Sequence, residues 1–169
     1  SYGSVYRARE LNSQAIVAIK VVSMDPNVGS GVTSTGSAAD EAKRELELLE
    51  SCNSPHVLAV KCSLRYDNRL WIVTELCEGG SLVDVMHAQN APLTEVQVSA
   101  ALSGAVGGLC YLHERRMLHR DVKAGNLLLT GDGCIKLGDL GISVQLGSTM
   151  ARRMTIIGTP HWLAPEVIA

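Results

Sequence analysis

The chain has 169 residues, enough to enclose the core of one ordinary domain. A hydrophobic fraction of 46% with a formal charge of −2 describes a globular protein and excludes a nucleic-acid binder that relies on a broad basic face. No apolar run reaches the ~20 residues that cross a bilayer, and the first residues lack the layout of a signal peptide.

Residues 1–9 alternate small or apolar side chains with polar ones, and 15–22 are compact and β-branched, which predicts a hairpin turning over Glu10 to Gln14. Residues 24–39, rich in Gly, Ser and Thr without periodicity, read as a flexible loop. From Asp40 to Cys52 the period becomes helical. Ala42, Glu45, Leu46, Leu49 and Cys52 share one face, with Lys43, Arg44, Glu47 and Glu50 pointing away. Glu45 is thereby a carboxylate on an apolar face, and such a group needs a cationic partner.

A second strand pair is predicted at 58–64 and 70–76. Glu78-Gly79-Gly80-Ser81 breaks the pattern and marks the boundary between a β-rich half and a helical half. Thr94 with Gln97 makes a capping box for a long helix running towards His113. Its predicted apolar stripe is Val98, Leu102, Ala105, Leu109 and Leu112. Short strands are expected at 126–129 and 134–137, and no internal repeat is present. The cysteines (Cys52, Cys62, Cys77, Cys110 and Cys134) are odd in number, scattered and without CxxC spacing, which fits reduced thiols in the cytoplasm.

Taken singly, the polar residues of interest say little. Gly3 before Val5 could be any turn glycine, Lys20 a solvated strand end, and His119 a hydrogen-bonded core histidine. Their order changes the reading. Val17-Ala18-Ile19-Lys20, Glu45 in the next helix, His119-Arg120-Asp121 with Lys123 and Asn126, Asp139-Leu140-Gly141 and Ala164-Pro165-Glu166 follow one another at compatible distances. In this series the chain resembles the protein kinases along essentially its whole length.

The resemblance implies an α+β, bilobal protein-kinase-like fold, with a β-rich small lobe over 1–74, a hinge at 75–79 and the first part of a helical large lobe over 80–169. It implies Mg²⁺ and ATP as cofactors. Lys20 would bind the α/β-phosphates and pair with Glu45, while Asn126 and Asp139 are oxygen donors suited to Mg²⁺. Asp121 would accept or orient the proton of the substrate hydroxyl, and Lys123 would neutralise the transferring phosphate. Gly3 would let the backbone approach phosphate. Thr74 falls at the gatekeeper position, Glu75-Leu76-Cys77 would offer backbone hydrogen bonds to adenine, and Val5, Ala18 and Leu128 would sandwich the base. For these last three the competing reading is plain core packing.

Lys123 and Gly158-Thr159-Pro160 resemble the serine/threonine enzymes, Thr159 standing where a threonine steadies the catalytic loop. Val122-Lys123-Ala124-Gly125-Asn126, Cys52-Asn53-Ser54-Pro55-His56-Val57 and the segment from Met154 to Ile168 resemble the sterile-twenty superfamily, on its germinal-centre, Hippo-type side. The expected partners are proteins with serine or threonine acceptors, and an upstream kinase or a second copy phosphorylating Thr155. A phosphate there adds about −2 charge and would dock on Arg120.

Two departures stand out. Leu140 replaces the usual phenylalanine beside Asp139, and it would pack differently between His119 and Leu49. The chain has no phenylalanine at all, a fact the sequence does not explain. By comparison with the family, the chain starts near the second glycine of the phosphate loop and stops soon after Glu166. It is therefore expected to be a fragment, poorly stable and nearly inactive by itself, with Glu166 unpartnered and the helix after Thr94 exposing apolar side chains. Two alternative readings are a silent pseudokinase scaffold and a small-molecule phosphotransferase. The first usually lacks the equivalents of Lys20, Asp121 or Asp139, and the second the Gly-Thr-Pro and Ala-Pro-Glu segment; all are present here.

Overall fold

The computed structural model of the protein describes residues 3–23, 47, 49–139, 159, 162, 164 and 165. Strands β1 (Ser4–Arg9) and β2 (Ile16–Ser23) pair antiparallel, from Ser4↔Val21 to Arg9↔Ile16. The hairpin closes through Glu10 N–H to Ala15 O and Gln14 N–H to Glu10 O, both at 2.9 Å. β3 (Val60–Tyr66) and β4 (Arg69–Glu75) are joined by Asp67 and Asn68. Both residues are left-handed, at φ 50° and 52°. Asp and Asn tolerate that conformation, and two such residues give a turn whose twist matches antiparallel strands. The four strands form one sheet in the order β1-β2-β4-β3. Alternation along β4 sends Leu70, Ile72 and Thr74 inward, with Leu70 and Ile72 each 1% exposed.

The described residues fall into two compact units. One holds those of Ser1–Cys52 with Ala59–Leu76; the other holds Asn53–Leu58, those of Cys77–Gly141, and the described residues from 159 onwards. The second unit is built on a small sheet, β5 (Gly80–Ser81), β6 (Leu127–Leu129) and β7 (Ile135–Leu137), with helices α1 (Leu82–Gln89) and α2 (Glu95–Glu114). One unit built on an antiparallel sheet and one largely helical make up the α+β class expected.

Helix α1 is not announced by periodicity, being only 8 residues long. Its signal is the cap. Ser81 Oγ accepts from Asp84 N–H, and the Asp84 carboxylate accepts from Ser81 N–H at 2.8 Å. Helix α2 has the capping box expected of Thr94 and Gln97, with Thr94 N–H donating to Gln97 Oε1 at 2.8 Å.

The stripe assigned to α2 needs correction. Val98 is 39% and Leu102 55% exposed, whereas the buried face is Ala101, Gly104, Ala105, Gly108 and Leu112. The helix lies so close to β7 that larger side chains do not fit: a Cβ on Gly104 would stand 2.8 Å from the Ile135 Cβ, and one on Gly108 2.5 Å from the His56 carbonyl oxygen. Closeness to backbone therefore selected residue size, and the apolar bulk of Val96, Leu102 and Val106 faces outward.

Of the predicted helix 40–52, the described part agrees with the expected phase: Leu49 and Cys52 are buried while Glu47 and Glu50 are exposed. The loop at 24–39, Glu45, Leu140, Gly141, Thr155, Gly158, Pro160 and Glu166 lie outside the described residues. None of the five cysteines forms a disulfide. Among the described residues no helix is long and apolar enough to cross a membrane.

Candidate active site

In the second unit the chain between α2 and β6 carries Arg120 at φ 65°, and Asp139 directly beyond β7 has φ 54°. Left-handed backbone is uncommon for residues with a side chain and marks places where surrounding contacts override local preference. Here those contacts are specific. Gly138 N–H donates to the Asn126 carbonyl at 2.8 Å, and the Gly138 carbonyl is held by His119 Nε2 at 2.9 Å. The Asp121 N–H donates to the other imidazole nitrogen, Nδ1, at 3.3 Å.

These two bonds define the histidine tautomer. A carbonyl can only accept, so Nε2 carries the hydrogen; an amide N–H can only donate, so Nδ1 must be bare. His119 is 2% exposed. Burial lowers its pKa, and the bond to Gly138 with the negative charges of Asp121 and Asp139 offsets only part of that. The neutral imidazole thus acts as a fixed strut between the backbone of Asp121 and that of Gly138.

Asp121 is the centre of the network. Lys123 Nζ donates to its Oδ2 at 2.8 Å, and Asn126 Nδ2 donates to Oδ2 at 3.0 Å and to the Asp121 carbonyl at 2.7 Å. From the far end of the chain, Thr159 gives Oδ1 both its hydroxyl, at 2.7 Å, and its N–H, at 3.1 Å. The same hydroxyl oxygen accepts from Lys123 Nζ at 2.6 Å. Burial pushes the Asp121 carboxyl up, but hydrogen bonds from Lys123, Thr159 and Asn126, with the lysine charge, outweigh it and leave the pKa below the ordinary value. Such a carboxylate stays ionised and is a weak base, better suited to orienting a hydroxyl than to carrying its proton away early.

The donor set fits a magnesium ion. Asn126 is 94% buried, since only 6% of it is exposed, and both Nδ2 bonds run to Asp121, so its Oδ1 is the end that remains for a cation. Asp139 follows Gly138, which is bonded to the Asn126 backbone. Among the described residues no group of three or more His, Cys, Asp or Glu could cage a metal. One carboxylate with one amide oxygen suits Mg²⁺, which keeps several waters and takes its other ligands from phosphate, rather than zinc or a calcium cage.

The first unit assembles the other predicted residues by strand register. Val5 pairs with Lys20, and Ala18 with Thr74, while Lys20 and Ala18 stand two apart on β2. Paired residues of antiparallel strands share a face, so Val5, Ala18, Lys20 and Thr74 lie on one side of the sheet. Val5 is 65% exposed, and Ala18 is half-buried; Leu128 in the second unit is also half-buried. None of the three is a filled core position. Glu75 has its carboxylate engaged by Ala59 N–H at 2.8 Å, its own N–H donates to the Ala59 carbonyl at 3.1 Å, and its carbonyl accepts from Thr74 Oγ1 at 3.0 Å. Gly3 has a local reason to be glycine, because a Cβ there would stand 2.6 Å from the Val21 carbonyl oxygen.

Sequence reasoning missed His56 and Tyr111 as supports. His56 Nδ1 donates to the Ile135 carbonyl at 3.1 Å, its own carbonyl accepts from Leu137 N–H at 2.9 Å, and Asn53 N–H donates to the Tyr111 hydroxyl at 2.7 Å. His56 stood out in the sequence only as part of a family-like stretch, and no local pattern assigns either residue its supporting role, since each acts across more than 50 residues.

The sequence matches the protein kinase domain family over residues 1–169. It is 46% identical over 168 residues to "Serine/threonine-protein kinase 1" of Arabidopsis thaliana. It is 42% identical to "Serine/threonine-protein kinase 4 homolog A" of Dictyostelium discoideum and 43% to "Serine/threonine-protein kinase cst-1" of Caenorhabditis elegans, again over 168 residues. Each alignment takes 99% of this chain but only 19%, 34% and 32% of the relative, so the chain spans about a fifth to a third of their lengths.

Proposed function

On the premise that the chain belongs to the protein kinase domain family, we propose that it supplies the catalytic residues of a serine/threonine protein kinase, transferring the γ-phosphate of ATP to protein substrates. The observation that carries this reading is Asp121 held by Thr159 and Lys123 together. That arrangement presents an ionised carboxylate and an ammonium beside each other, as transfer to a hydroxyl requires. The names of the relatives support the serine/threonine assignment.

Phosphoryl transfer spreads negative charge over the γ-phosphate oxygens, so the protein contributes mainly position and compensating charge. Asp121 accepts a hydrogen bond from the incoming hydroxyl and aims its oxygen. Lys123 places a positive charge beside that path, and its bond to Thr159 fixes the ammonium. Asn126 and Asp139 would hold Mg²⁺, which would supply positive charge to neutralise the phosphates. Lys20, for which Glu45 is the proposed partner, and the backbone at Gly3 would hold the phosphates. By the family resemblance, the proposed adenine contacts are Val5, Ala18, Thr74 and the backbone of Glu75 in the first unit, and Leu128 and the backbone of Cys77 in the second.

The motif set resembles the sterile-twenty superfamily, on its Hippo-type side, and supports a role in intracellular signalling; cysteines without a disulfide agree with a cytoplasmic setting. A phosphate on Thr155, added by an upstream kinase or a second copy, would pair with Arg120 and order the segment between them. The deciding experiment is transfer of labelled γ-phosphate from ATP to a serine/threonine peptide by the full-length protein, with Asp121→Asn as control. Equal labelling by both would end the proposal.

A further inference from the structure

We infer that Gly79 is a positioning residue for nucleotide binding: lacking a side chain, it lets the turn after Cys77 seat directly on β6 and so sets the spacing between Cys77 and Leu128. The inference rests on the proposal above that Cys77 and Leu128 contact adenine.

The segment from Cys77 to Ser81 is tied to β6 at three levels. Gly80 N–H donates to the Cys77 carbonyl at 3.1 Å, which closes the turn; Gly79 N–H donates to the Leu129 carbonyl at 2.9 Å; and β5 then pairs Gly80 with Leu129 and Ser81 with Leu128. The two glycines are needed for different reasons. Gly80 is left-handed at φ 70°. Gly79 is not, and what it lacks is room. A Cβ at 79 would lie 2.8 Å from both Cβ and Cγ of Leu129 and 2.9 Å from its Cδ2. Carbon atoms rest at about 3.5–4.0 Å. The Leu129 Cβ is bonded to the strand backbone and cannot swing aside, so a side chain at 79 must push the turn and β6 apart.

Leu128 sits beside Leu129 on that strand, half-buried, and Cys77 begins the turn being displaced. Separation at Gly79 therefore changes the distance between two proposed adenine contacts. Asp121, Lys123, Asn126 and Thr159 are bonded to one another and not to this turn. The expected signature is weaker nucleotide binding with chemistry preserved, which a general loss of stability would not produce.

The test is steady-state kinetics of the full-length kinase with ATP varied at saturating peptide, alongside the melting temperature of each variant. Gly79→Ala should raise the KM for ATP by about five- to tenfold while kcat and the peptide KM stay within about twofold. Adding Leu129→Ala, which removes Cγ and Cδ2 but leaves Cβ, should recover part of the loss. An unchanged KM for ATP, or a fall in kcat in step with a lower melting temperature, overturns the inference. Should Gly79→Ala fail to fold, Leu129→Ile places a branch at Cβ against the intact glycine; it must then raise the KM for ATP with kcat held, and no change overturns the inference equally. Leu128→Ala separates the two levels of the argument. If it leaves the KM for ATP unaltered, the adenine site itself is misplaced; if it raises the KM and Gly79→Ala does not, only the role of Gly79 falls.

Discussion

The Thr159 hydroxyl reaches Asp121 Oδ1 at 2.7 Å although 38 residues separate them. Because the same oxygen accepts from Lys123 Nζ, one small side chain sets both the carboxylate and the ammonium. Removing the hydroxyl leaves the charges in place and takes away their common anchor.

Thr159→Val is therefore expected to lower kcat by roughly ten- to a hundredfold, the scale of a modest misplacement of reacting groups. Thr159→Ser keeps the oxygen and should retain most of the rate. Asp121→Asn should cost roughly 10²–10⁴-fold. Peptide phosphorylation at saturating ATP measures all three. A valine variant as active as the serine variant would show that the anchor has no catalytic consequence.

The capping box of α1 makes a pH-dependent contribution to stability. The hydrogen bonds from the Ser81 side chain, then from its backbone, hold the Asp84 pKa below the ordinary value, with burial opposing them weakly. A depressed folded pKa means that the stabilisation is fully present above the unfolded pKa and is lost as pH falls through the folded pKa. Ser81→Ala should cost about 1 kcal/mol at neutral pH. Asp84→Asn should flatten the acid side of the stability profile. Chemical denaturation at pH 7 and in the acid range reads both.

Gly108→Ala sets two effects of opposite sign against each other. Alanine gains about 1 kcal/mol of helix propensity over glycine. The new methyl meets the His56 carbonyl oxygen at 2.5 Å and Leu137 Cδ1 at 2.7 Å. Overpacking against backbone costs about 1–3 kcal/mol and cannot be relieved by a rotamer change, so the variant is expected to be destabilised. At Gly125 the nearest atom to a new Cβ is 3.9 Å away, and Gly125→Ala should stay within about 0.5 kcal/mol. Denaturant midpoints compare the two, and equal stability would refute the tight seating of α2 on β7.

Thr155→Ala in the full-length kinase should lower activity by an order of magnitude or so if a phosphate at this position orders the segment through Arg120. The wild type treated with a phosphatase should fall to the same level. Unchanged activity in the alanine variant would remove Thr155 from the regulatory scheme.

Much of the fold and the family was legible in the sequence. The hairpins followed from alternation and turn residues, and α2 from its Thr94–Gln97 box, because these are interactions among near neighbours. The order of Lys20, Asp121, Lys123, Asn126 and Asp139 along the chain carried the resemblance to the protein kinases, and the family match agrees with it. The buried stripe of α2 was misread, since hydrophobic periodicity assumes that the larger apolar residue points inward. Helix α1 is too short for periodicity to register, and its Ser81–Asp84 cap was the signal to use.

By itself, then, the sequence determined the family and the local elements, each encoded by spacing along the chain. Only the tertiary structure decided that His119 is a neutral strut, that Thr159 anchors Asp121 and Lys123 together, and that Gly79, Gly104 and Gly108 are glycine because another part of the chain occupies the space. The physical reason is range. Tautomer, shared hydrogen bonds and steric exclusion depend on atoms tens of residues away, and no local pattern records where those atoms will stand.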